Sequence, residues 1–104
     1  MEEKPIRTLK DYIPMAKSGT PDNIDIIMGD INPDMSIAVS KIIDYSLSFV
    51  ESEQGLNRMV YYLFNGTQIQ RNYCTLFFNR RGDWPLVKEA FEKGLIDEIQ
   101  AFSR

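Results

Sequence analysis

Histidine is absent from this chain, which removes the commonest general base, the usual zinc ligand and every His-dependent triad. The single cysteine, Cys74, therefore has no imidazole to activate it, and a thiol attacks only when a base or cation favours the thiolate. One cysteine forms no intrachain disulfide, and its expected state is a buried thiol in a reducing compartment. No phosphate loop, dinucleotide fingerprint or nucleophile elbow is present. Asp30, Asn32, Asp34 and Ser36 place oxygen ligands at alternate positions, as a calcium loop does. Such a loop needs glycine at its sixth position and an acid at its twelfth. Met35 and Lys41 stand there instead, so Asp30 and Asp34 read as charges flanking a helix start, where the macrodipole favours them. No metal, cofactor or catalytic residue is expected, and the chain is not expected to be an enzyme.

Other short matches have simpler readings. Arg81-Gly82-Asp83 matches the integrin-binding tripeptide, but glycine ending one helix and aspartate capping the next explains it. Asn65-Gly66-Thr67 has the form of a glycosylation acceptor and reads as a helix stop followed by a helix start. Glu89 with Glu92, and Asp97 with Glu98, are carboxylate pairs of solvated helix faces, with nothing nearby to raise one pKa. Basic residues group at Lys4, Arg7 and Lys10 and again at Arg71, Arg80 and Arg81, but acids outnumber bases 15 to 12. A net charge of −3 and a pI near 4.9 oppose non-specific attraction to nucleic acid or anionic membrane.

The residues with chemistry left over lie on two helices. Leu56, Met59, Val60, Leu63 and Phe64 suffice to define the buried side of a helix opened by Ser52. At about 100° per residue, Arg58, Tyr61 and Tyr62 point away from that side. Ile26 does the same on an earlier helix. Exposed tyrosine and arginine are the types enriched at binding hot spots. These four are the expected partner-binding residues; the competing reading makes them internal packing against a neighbouring helix.

The elements that position them are helices throughout. Thr8 with Asp11 opens the first, which Pro14 should kink or restart and Ser18-Gly19 should end. Thr20-Pro21 opens the second, with Ile24, Ile27, Met28 and Ile31 inward. Asn32-Pro33 repeats that signal, predicting a third helix from about Pro33 to Val50 with Met35, Val39, Ile42, Phe49 and Val50 inward and Ala38 and Ser46 filling in. Thr67 with Gln70 forms a capping box for the fifth helix, which carries Ile69, Tyr73, Leu76 and Phe77 and ends at Gly82. Asp83 should cap the sixth, with Trp84 covering the core edge and Leu86, Val87, Ala90 and Phe91 inward; Gly94 ends it. A short last helix holds Leu95, Ile99 and Phe102. No segment alternates as a strand would. The hydrophobic fraction of 43% and charged fraction of 26% fit one globular domain over residues 1–104.

Three turns recur at near-regular spacing: Ser18–Asp22, Glu51–Gly55 and Arg81–Pro85. The segment from Ile69 to Val87, with an aliphatic residue and Arg71 early, apolar spacing, then Gly82-Asp83 before the next helix, resembles a HEAT-like repeat; the resemblance is clearest over residues 67–94. The helix signals predict an all-α architecture of six or seven short helices, and the resemblance implies that they stack as antiparallel hairpins in a short right-handed array whose concave face binds proteins. An irregular helical bundle is the alternative architecture. The resulting expectation is a non-enzymatic protein-interaction or adaptor module whose partner is another protein or a second copy of itself. The alternative function is a nucleic-acid-binding HEAT-like domain. No apolar run has membrane-spanning length, and the opening Met1-Glu2-Glu3-Lys4-Pro5 is charged rather than signal-like, so a cytoplasmic protein is expected.

Overall fold

Helix signals in the sequence become seven helices in a computed structural model that describes residues 7–102: α1 (Leu9–Ser18), α2 (Pro21–Gly29), α3 (Ile37–Leu47), α4 (Glu53–Asn65), α5 (Gln68–Arg81), α6 (Trp84–Glu92) and α7 (Glu98–Ala101). Lys4, part of one basic group, lies outside the described residues. No strand occurs among them.

The caps explain most boundaries. Asp11 accepts the Thr8 N–H at 2.8 Å, and the hydroxyls of Thr20, Ser52 and Thr67 accept backbone N–H groups of α2, α4 and α5, satisfying donors that a helix start leaves free. Gly19 and Gly82 close α1 and α5 with positive φ of 60° and 79°, a conformation glycine adopts without a Cβ penalty. Helix α1 runs through Pro14 without a break; the proline removes one internal hydrogen bond on an exposed side, and the rest of the turn holds.

Several expectations are corrected. Helix α3 begins at Ile37, not Pro33, because the Asn32 side chain accepts the Asp34 N–H at 2.8 Å and folds that segment into a turn, leaving Ser36 to cap. Ser46 and Val50 are buried as expected and Met35, Val39, Ile42 and Phe49 pack partly buried against the core, but Ile43 and Leu47 are buried as well and Ala38 is exposed. Asp83 precedes α6 but makes no capping bond; its carboxylate accepts from Arg81 Nε at 3.3 Å instead. Trp84 is 47% exposed where it was expected to cover the core edge, and the last helix is a single turn that holds Ile99 but not Leu95 and turns Ala101 inward.

The buried residues, from Tyr12 on α1 through Ile27, Leu47, Met59, Phe78 and Val87 to Ala101, form one contiguous core. Packing around it has two layers: α1 lies against α3 and α3 against α5, while α2 lies against α4 and α4 against α6. Hairpin partners α1 with α2 and α5 with α6 also pack together, and α4 with α5 packs most closely.

Candidate functional site

Helices α2 and α4 lie side by side, and two features set their register. At their starts, the Ser52 hydroxyl donates to Gly19 O at 3.0 Å and accepts the Gly55 N–H at 3.0 Å. A Cβ on Gly55 would stand 2.9 Å from Val50 Cγ1 and 3.1 Å from Gly19 O, so absence of a side chain permits the approach. One turn further on, Arg58 donates from Nε to Asp25 Oδ1 at 2.7 Å and from Nη2 to Oδ2 at 3.1 Å. The Tyr62 hydroxyl donates to the same Oδ1 at 2.7 Å. Both Gly19–Ser52 and Asp25–Arg58 join residues 33 apart. A constant separation means that the two helices run in the same direction.

Three donors on one carboxylate favour its charged form. The Arg58 hydrogen bonds are the main cause holding Asp25 below the usual carboxylate range, with Tyr62 helping. Burial first, then the bond to Asp25, pushes the Tyr62 phenol up to about 12, so it remains a donor at any physiological pH.

Arg58 also anchors the outer surface. Its guanidinium carbon lies 4.4 Å from the Tyr61 ring centroid and 5.5 Å from that of Tyr62, within cation–π range. The two rings meet edge to face at 5.2 Å. Tyr61 is 45% exposed and Ile26, on the outer side of α2, 38% exposed. All four residues singled out from the sequence thus lie on the paired helices. Tyr61 and Ile26 form the open surface, whereas Arg58 and Tyr62 are half-buried and tied to α2.

Asp25 is the residue that sequence reasoning missed. The inward side of α4 is centred on Gly55, Met59 and Leu63, which rotates it toward Tyr62 by about 70° from the side defined by large apolar residues alone. The available signal was Gly55, a helical glycine whose small size marks a close neighbour.

A second carboxylate at the end of α2 has the same kind of partners. Asp30 accepts from Arg7 Nη1 at 2.6 Å and from the Tyr12 hydroxyl at 2.8 Å. It is a C-cap residue rather than a charge at a helix start. Burial, with the Asp30 bond second, pushes the Tyr12 phenol up to about 12.

The other chemical candidates are absorbed by structure. Arg80 pairs with Asp44 through two bonds of 2.9 and 2.8 Å. Arg71 donates to Leu95 O, Gly66 O and Gln68 Oε1. Cys74 is fully buried, and burial pushes its thiol up. Among the described residues, no cluster of three or more metal-ligating side chains occurs, and no helix is long and apolar enough to cross a membrane. No protein-family model, curated protein or solved structure matches the chain.

Proposed function

We propose that this chain is a non-enzymatic protein-interaction module, working through the α2/α4 face and needing no cofactor. The observation that carries the reading is the Tyr61 ring, 45% exposed yet held against an arginine that Asp25 fixes from the neighbouring helix. An aromatic group ordered before binding loses little entropy on contact, and this raises affinity for a given area. Ile26 extends the apolar part of the surface.

The proposed architecture is a short HEAT-like stack of helical hairpins. Its support is the two-layer order of packing and the recurrence of one separation. Gly19–Ser52, Asp25–Arg58 and Ser40–Tyr73 each join residues 33 apart, as neighbouring repeats place equivalent positions side by side. The middle pair fits less well, since α3 packs on α1 and α5 rather than extensively on α4. In such a stack the second helices, α2 and α4 among them, line the binding face. The nucleic-acid alternative is less well supported, because Arg71, Arg80 and Arg81 spend their donors on internal acceptors. The buried reduced thiol fits a cytoplasmic setting.

Affinity capture from an extract of the native host tests the reading, with wild-type chain and Tyr61→Ala as paired baits. A partner identified by mass spectrometry should be recovered with the first and depleted at least tenfold with the second. Equal recovery, with both baits folded, places the working surface elsewhere.

A further inference from the structure

An asparagine followed by glycine is the pair in which a backbone nitrogen most readily attacks the preceding side chain, and this chain has one, Asn65-Gly66. Glycine has no Cβ to crowd its own nitrogen, and asparagine is among the labile residues. The other five asparagines precede Ile24, Pro33, Arg58, Tyr73 and Arg80, each bulky or without an N–H. The fold sets the pair at the joint between α4 and α5. Asn65 is the last residue of α4 and Gly66 its C-cap, and Thr67 already caps α5. A Cβ on Gly66 would stand 2.7 Å from Tyr62 O and 2.9 Å from Gln70 Oε1. A larger residue does not fit there without moving the helix end, so the reactive neighbour is built in.

The same joint withholds the reaction. The Gly66 N–H donates to Tyr62 O at 2.9 Å, Asn65 Nδ2 donates to Tyr61 O at 3.1 Å, and Arg71 Nη1 donates to Gly66 O at 2.8 Å. An amide nitrogen attacks only after losing its proton, and here that proton is shared with Tyr62 O. Asn65 is helical, whereas closing a five-membered ring needs rotation about its Cα–C bond out of the helical range. The side chain is nonetheless exposed, so water reaches it as soon as the turn opens.

We propose that Asn65 is a self-modification site gated by unwinding of the last turn of α4. In the open turn the deprotonated Gly66 nitrogen bonds to Asn65 Cγ, and the bond from Cγ to Nδ2 breaks. Nδ2 leaves as ammonia, taking up the proton that Gly66 lost, and a cyclic imide remains. Water then adds to either imide carbonyl, opening the ring to aspartate or isoaspartate at position 65. Either product places a negative charge at the C-terminal end of α4, where the helix dipole opposes it. Isoaspartate also adds a methylene to the main chain, so Gly66 no longer reaches Tyr62 O and Arg71 together. The closed joint protects the amide, and the isoaspartate product does not rebuild the joint.

Peptide mass spectrometry of the whole chain, incubated at one mildly alkaline pH in native buffer and in urea, is the deciding measurement. Loss of the Asn65 amide should be at least tenfold slower in native buffer, because only the open fraction reacts. In urea Asn65 should react ahead of the other five asparagines, and Asn65→Gln, whose ring would be six-membered, should abolish the early product. Arg71→Lys loosens the joint and should speed the native reaction several-fold while circular dichroism stays helical. Arg80→Lys, at the far end of α5 and paired with Asp44, should leave it unchanged. Equal rates in buffer and urea overturn the gate. An Asn65 no faster in urea than the other asparagines overturns the site. Equal acceleration by both arginine variants, or none by Arg71→Lys, overturns the last turn of α4 as the place of the gate.

Discussion

Asp25 shows how one side chain converts two helices into a surface. Its carboxylate is held charged by Arg58 first and Tyr62 second, so its folded pKa lies below the unfolded value. The stability it contributes is therefore fully present above the unfolded carboxylate pKa of about 3.9 and is lost as pH falls through the folded value. Asp25→Asn is expected to lower the melting temperature at pH 7 by a few degrees. The gap should narrow below about pH 4 as the wild-type carboxylate protonates, which a series of thermal melts from pH 7 to pH 2.5 checks. Arg58 and Tyr61 were legible as surplus to their helix's apolar stripe. Their carboxylate partner was not, because finding it requires the register between helices, which no local pattern encodes. Cys74 was legible, by contrast, since its neighbours Leu76, Phe77 and Phe78 are apolar. With the thiol buried and its pKa raised, iodoacetamide at neutral pH should label it slowly in the folded protein and quickly in denaturant. Fast labelling without denaturant contradicts the burial.

Among the elements, two helical glycines should respond in opposite directions to the same substitution. Gly29 closes α2 with open space where a Cβ would stand, so Gly29→Ala should stabilise by up to about 1 kcal/mol through helix propensity alone. Gly55 faces Val50 and the Gly19 carbonyl. There Gly55→Ala should cost about 1–3 kcal/mol through overpacking, despite the same propensity gain. Denaturant midpoints of the two variants decide this; shifts of the same sign remove Gly55 as the contact between α2 and α4. Helix starts carried by a hydroxyl were readable because the cap is a local bond, as at Thr20, Ser52 and Thr67. The errors came where a side chain had a choice. Asn32 bonds within its own turn and delays α3 to Ile37, and Asp83 takes Arg81 in place of a helix N–H. Trp84, at the start of its helix, was expected to cover the core edge, yet it borders an open groove of about 510 Å³ with Phe91 and Phe102. Apolar character alone does not say whether a neighbouring element reaches far enough to cover a residue.

At the scale of the whole molecule, the all-helical class followed from spacing and caps, while the order of packing followed from contacts distant in sequence. Arg71 is one of the ties. It joins the α4–α5 turn at Gly66 O to the segment after α6 at Leu95 O. Arg71→Lys keeps the charge but loses the planar fork, so it should cost about 1–2 kcal/mol in urea unfolding. A change within experimental error removes Arg71 from the list of ties. The Ser52 hydroxyl is a tie of another kind, holding the turn before α2 and the first turn of α4 between two glycines. A Cβ added to Gly19 would fall 2.0 Å from that hydroxyl. Beyond the strain of its positive φ, the cost of enlarging Gly19 accordingly depends on what occupies position 52, and effects at such neighbouring sites do not add. In evolutionary terms this is a ratchet: once Gly19 and Gly55 have closed on Ser52, none of the three drifts freely. Shrinking Ser52 alone releases neither glycine, because Gly19 keeps its positive φ and Gly55 still meets Val50 and the Gly19 carbonyl, so descendants of this chain keep all three positions or rebuild them together.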